Sequence, residues 1–75
     1  AASGYENEIT RLGTHNPGDQ ITVTYTGSST LDSSEPIGAR IEGGSVVSVT
    51  KVSAKSVRFT MPAGNVIVTP NEYVE

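Results

Sequence analysis

Val57-Arg58-Phe59-Thr60-Met61-Pro62-Ala63-Gly64-Asn65-Val66-Ile67-Val68-Thr69 has the pattern of two β-segments on either side of a turn. Val57, Phe59 and Met61 alternate with Ser56, Arg58 and Thr60, the period-2 pattern of a strand with one face inward. Pro62 has no N–H for a ladder and ends that strand, and Gly64-Asn65 accepts the positive φ angles of a tight reversal. The β-branched run Val66-Ile67-Val68-Thr69 then runs back, so the spacing predicts two strands joined as a hairpin.

The same alternation recurs earlier in the chain. Gln20 to Gly27 places Ile21, Val23 and Tyr25 on one side and Thr22, Thr24 and Thr26 on the other, one buried face and one wet, hydroxyl-rich face. Ile37, Ala39 and Ile41 alternate in the same way, and Gly43-Gly44 reverses the chain into Ser45 to Val52. Val46 and Val47 are adjacent, so that strand is either covered on both faces or carries a bulge that switches face. Ser53-Ala54-Lys55 turns the chain into Val57. Gly13 to Asp19 reads as a loop, with Asn16-Pro17 and Pro17-Gly18 both favouring turns, and 28–36 is the longest polar connection, with Leu31 as its one apolar anchor. Tyr5 to Leu12 reads as a weak edge strand, residues 1–4 as a frayed end, and residues 70–75 as an extension of the last strand or a lead into a following domain.

Together these segments predict an all-β fold: a small antiparallel β-sandwich or partly open barrel, Ig-like, with about six strands in hairpin-like succession. Ile21, Val23, Ile37, Ile41, Val49, Val57, Phe59, Met61 and Val68 are the expected core. With 75 residues, the chain is expected to be a single β-module that buries only roughly 60% of its extended surface. That leaves room for a surface patch but little for a deep cleft with supporting groups. The chain does not open on Met and is expected to be an excerpt of a longer surface or virion protein, or a processed product.

Composition narrows the chemistry. Cysteine is absent, which removes disulfides, thiolate zinc sites and redox motifs. A net charge of −3, with Arg11, Arg40, Lys51, Lys55 and Arg58 scattered, argues against nucleic acid. No apolar run reaches membrane-spanning length.

Two segments carry a family resemblance. Phe59-Thr60-Met61-Pro62-Ala63-Gly64-Asn65-Val66-Ile67-Val68-Thr69 resembles the closing hairpin of divergent bacterial surface repeat domains related to the internalin B-repeat. Pro17-Gly18-Asp19-Gln20-Ile21-Thr22-Val23-Thr24 is similar to their opening strand. The resemblance spans Asn16 to Thr69; in the middle, Ile37-Gly38-Ala39-Arg40 stands where those modules carry an aromatic-Gly-Trp segment. It implies a secreted or surface-displayed module of Gram-positive bacteria, often tandem, serving spacing, display or adhesion, with no catalytic residues to carry over.

Candidate chemistry is sparse. His15 is the only histidine and lacks a Cys or His partner, so it reads as an exposed loop residue and not as a metal ligand or general base. Asp32 and Glu35 could offer oxygens to Ca²⁺, but they lack the spacing of a calcium loop. Tyr5, Tyr25 and Tyr73 could stack on sugars, although Tyr25 falls on the inward face. A Lys51 or Lys55 isopeptide cross-link would need a buried amine beside a protonated carboxyl. The expectation is therefore a non-enzyme without metal or cofactor. Its partner is a protein or a neighbouring module, met through Leu31, Asp32, Glu35 and Tyr73 and through edge strands. Nucleic acid and membrane insertion are not expected. A phage virion decoration or fibre domain, and a carbohydrate-binding module of a secreted enzyme, are the alternatives.

Overall fold

Among the described residues, seven short strands form in the order β1 Ala2–Gly4, β2 Gln20–Thr24, β3 Ile37–Ile41, β4 Val46–Val47, β5 Thr50–Ser53, β6 Ser56–Thr60 and β7 Val66–Pro70. The structure, a computed structural model, describes residues 1–73. Val74 and Glu75, part of the tail expected to extend the last strand or lead into a following domain, lie outside the described residues. No helix occurs among the described residues.

The strands divide into a four-stranded sheet ordered β1-β7-β3-β4 and a three-stranded sheet ordered β2-β6-β5. The fold is all-β and sandwich-like, not a closed barrel. Ile37, Ala39, Val66 and Val68 from the first sheet and Ile21, Val23, Tyr25, Val57 and Phe59 from the second share one buried cluster, closed at its margins by Ile9 and Met61. The period-2 alternation of β2, β3, β6 and β7 makes this possible, because every second side chain of these strands points into the gap between the sheets, whereas β5 is exposed along its whole length.

The 57–69 stretch is not a hairpin. β6 and β7 lie in different sheets: β6 pairs with β2 and β5, and β7 pairs with β3 and β1. Met61 to Asn65 is therefore an arch that carries the chain across the sandwich. The Met61 N–H donates to the Asp19 carbonyl at 2.8 Å and keeps that end of the arch on the second sheet. Val66 N–H donates to the Ala1 carbonyl at 3.0 Å on the first.

The Val46-Val47 ambiguity resolves as a second crossing. β4 pairs with β3 in one sheet, β5 pairs with β6 in the other, and the chain bends through Ser48-Val49 between them. Val46 is 78% exposed, whereas Val47 and Val49 pack against the core from either side of the bend. Val49 therefore lies half-buried at a corner and not in the core proper. Ile41, also expected in the core, is half-buried at the end of β3, where its γ2 methyl faces Gly44 and Gly64 of the two neighbouring loops.

The N-terminal region differs most from expectation. Residues 2–4 are not frayed; they form β1, paired parallel to β7 with Ala2 opposite Val66 and Gly4 opposite Val68. Ala2 is 2% exposed. Tyr5 to Leu12 is no strand: Tyr5 O accepts from both Glu8 N and Ile9 N in a turn, and Ile9 forms a single bridge with Tyr25. Two hairpins between consecutive strands remain. Gly43, at φ 70°, lets one of them turn, with Ile41 N–H donating to the Ser45 carbonyl at 2.9 Å.

Candidate functional site

Within the 28–36 connection, residues 30–36 are held by a set of hydrogen bonds. Asp32 Oδ1 accepts from the Ser34 hydroxyl at 2.6 Å, the Ser34 N–H at 2.8 Å and the Glu35 N–H at 3.2 Å, a turn in which one carboxylate oxygen organises the three residues after it. Chain continuity past β7 then zips onto this loop. Asp32 N–H donates to Asn71 O at 2.8 Å, Tyr73 N–H to Thr30 O at 2.7 Å, and Asn71 N–H to Pro36 O at 2.8 Å. The Asn71 side-chain amide reaches Glu35 O at 2.7 Å. From the other sheet Lys51 Nζ donates to Ser33 O at 2.6 Å.

The four residues expected at a partner surface thus share one ribbon. Leu31 bridges to Glu72 and turns its side chain onto the core; Asp32 is occupied in shaping the loop; Glu35 is exposed; Tyr73 is 57% exposed. The Ser34 hydroxyl bond, then the Ser34 and Glu35 N–H bonds, hold the Asp32 carboxyl below its ordinary value, with the Lys51 charge adding to them. Among the described residues no three His, Asp or Glu side chains gather as a metal-binding group. Lys51 and Lys55 are exposed, and their amines rest on backbone carbonyls, Lys55 Nζ on Gly27 O at 3.2 Å. Neither lysine is therefore placed in the desolvated setting that cross-link chemistry requires.

Tyr25 behaves as its alternation indicates, 2% exposed, with Lys55 Nζ 5.9 Å from its ring centroid. His15 is a half-buried loop residue whose Nε2–H donates to the Arg11 carbonyl at 2.7 Å.

A second feature left no mark in the sequence pattern. Arg11 adopts φ 63°, a left-handed conformation uncommon outside glycine. Before it, Glu8 to Thr10 runs antiparallel beside β2, with Thr10 N–H donating to Thr24 O at 2.9 Å and Thr26 N–H to Glu8 O at 2.6 Å. At Arg11 the chain swings away, and Gly13 pairs instead with Ala2. An open groove of about 580 Å³ results, lined by Arg11, His15, Asp19, Gln20, Ile21, Thr22 and Thr24.

No helix among the described residues is long and apolar enough to cross a membrane. No protein-family model, no curated protein and no solved structure matches the chain.

Proposed function

We propose that this chain is a non-catalytic extracellular module of a bacterial surface protein, working in spacing, display or the binding of a protein partner. The observation that supports the reading is the 30–36 ribbon. Its polar groups are turned onto its own backbone and onto Asn71 and Lys51, so it offers a preformed surface instead of a reaction centre. A loop fixed in this way contributes little ordering cost on binding. The sandwich beneath it, with its first and last strands paired in one sheet, is a compact unit suited to repetition along a chain.

Two measurements test this. Displayed against arrays of glycans and of extracellular proteins, the module should bind protein, and Asp32→Ala should weaken that binding by disordering the ribbon. A sugar hit that depends on Tyr73 would instead assign it to carbohydrate recognition. Sequence flanking the chain in its parent gene should show tandem copies and a wall anchor; capsid or tail neighbours would move it to a virion.

A further inference from the structure

The outer edge of β2 is half used. Tyr25 N–H donates inward to Lys55 O at 2.8 Å, and Asp19 O accepts inward from Met61 N–H, so odd-numbered residues of this strand face β6. Even-numbered residues must point their backbone groups away from the sheet. Of these outward groups, Thr24 O and Thr26 N–H are taken by the Glu8–Thr10 segment. The outward N–H and C=O of Gln20 and Thr22 take no hydrogen bond among the described residues.

The reason is Arg11. Had residue 11 stayed extended, the segment would have continued along β2, and the next residues would have met Thr22. The left-handed turn at φ 63° ends that ladder, and the His15 bond to the Arg11 carbonyl at 2.7 Å holds the diverted loop in place. What is left is a groove floored by unpaired strand edge, already in register with a short antiparallel stretch at one end. An extended chain entering there would extend the three-stranded sheet by one strand.

Charge selects the occupant. The chain as a whole carries −3, yet Arg11 lines this groove and Arg58 is the cross-strand neighbour of Thr22. Asp19 is the one carboxylate of the lining, so two cations, Arg11 and Arg58, stand against one anion along this edge. We infer that the β2 edge beside Arg11 is a strand-addition site for an extended acidic peptide segment, pairing with the backbone of Gln20 and Thr22. The site rests on reading the module as a protein binder and gives that reading a second, separate surface from the 30–36 ribbon.

The test is a nuclear magnetic resonance titration of the whole chain with a blocked heptapeptide alternating valine and glutamate. The Thr22 amide should shift and become protected from exchange at or below about 1 mM peptide, a range usual for short segments. The lysine counterpart should bind at least about tenfold more weakly, and added salt should weaken the glutamate peptide. Thr22→Pro, which removes an outward N–H, should abolish the peptide-dependent shift of the Gln20 amide. If that variant does not fold, Arg11→Gly keeps the left-handed turn and should weaken binding about fivefold. Equal affinity for the lysine peptide, or a Thr22 amide unmoved at saturation, would overturn the inference. So would Thr22 protection that grows with protein concentration alone, which would assign the edge to a second copy. Shifts confined to residues 30–36 would remove this site and leave the protein-binding reading intact.

Discussion

Gly4 and Val68 lie so close across the parallel pairing of β1 and β7 that a β-carbon on Gly4 would overlap the Val68 carbonyl oxygen. Gly4 also sits at φ 142°, which side-chain-bearing residues rarely adopt. Glycine at position 4 therefore has a structural purpose: it lets β1 lie against β7 at the edge of the four-stranded sheet.

Gly4→Ala should detach β1 while the rest of the sandwich persists. The cost expected is about 1–3 kcal/mol, the range for a strained backbone position. Hydrogen exchange reads it locally, because Gly13 N–H and Val66 N–H, which donate to Ala2 O and Ala1 O, should lose protection together. Unchanged protection at both amides would show that β1 tolerates a side chain there.

Phe59 is 3% exposed, stands opposite Ile21 in register and is the chain's one phenylalanine. Phe59→Ala should cost roughly 3–5 kcal/mol, which a domain of this size can hardly absorb. Denaturant unfolding gives the comparison. A cooperative transition near the wild-type midpoint would place Phe59 outside the load of the core.

Asp32 sets a pH dependence of definite sign. Its hydrogen bonds from Ser34 and Glu35 lower its folded pKa below the ordinary 3.8. The stability it adds to the loop is therefore fully present above 3.8 and is lost as the pH falls below it through the folded value. The amide signals of Ser34 and Glu35 should follow that titration, and Asp32→Asn, which keeps an acceptor oxygen, should flatten it. Loop opening with a midpoint above 3.8 would contradict the assignment.

Much of the layer structure was legible from side-chain alternation. Ile21, Val23 and Tyr25, and again Val57, Phe59 and Met61, were readable as inward because a strand with one wet face must alternate. Partner choice was not readable. Pro62-Ala63-Gly64-Asn65 suits a hairpin turn and an arch equally well, because local turn chemistry says that the chain reverses and not which sheet receives it. β1 was hidden because close approach to β7 favours residues with little hydrophobic signal. Arg11 was hidden because nothing in its type announces a left-handed backbone. Leu31, Asp32, Glu35 and Tyr73 were readable as a loop and a tail, but their union depends on Asn71, whose side-chain and backbone bonds tie the two together.

Residues 57–69 cross between the two sheets and do not fold back as a hairpin. Scalar couplings across backbone hydrogen bonds test this crossing most directly, since each one names a donor and an acceptor residue. The structure predicts couplings from Met61 N–H to Asp19 O, from Tyr25 N–H to Lys55 O and from Val66 N–H to Ala1 O, with none joining 57–60 to 66–69. A ladder of couplings between those last two segments would restore the hairpin and contradict the sandwich described above.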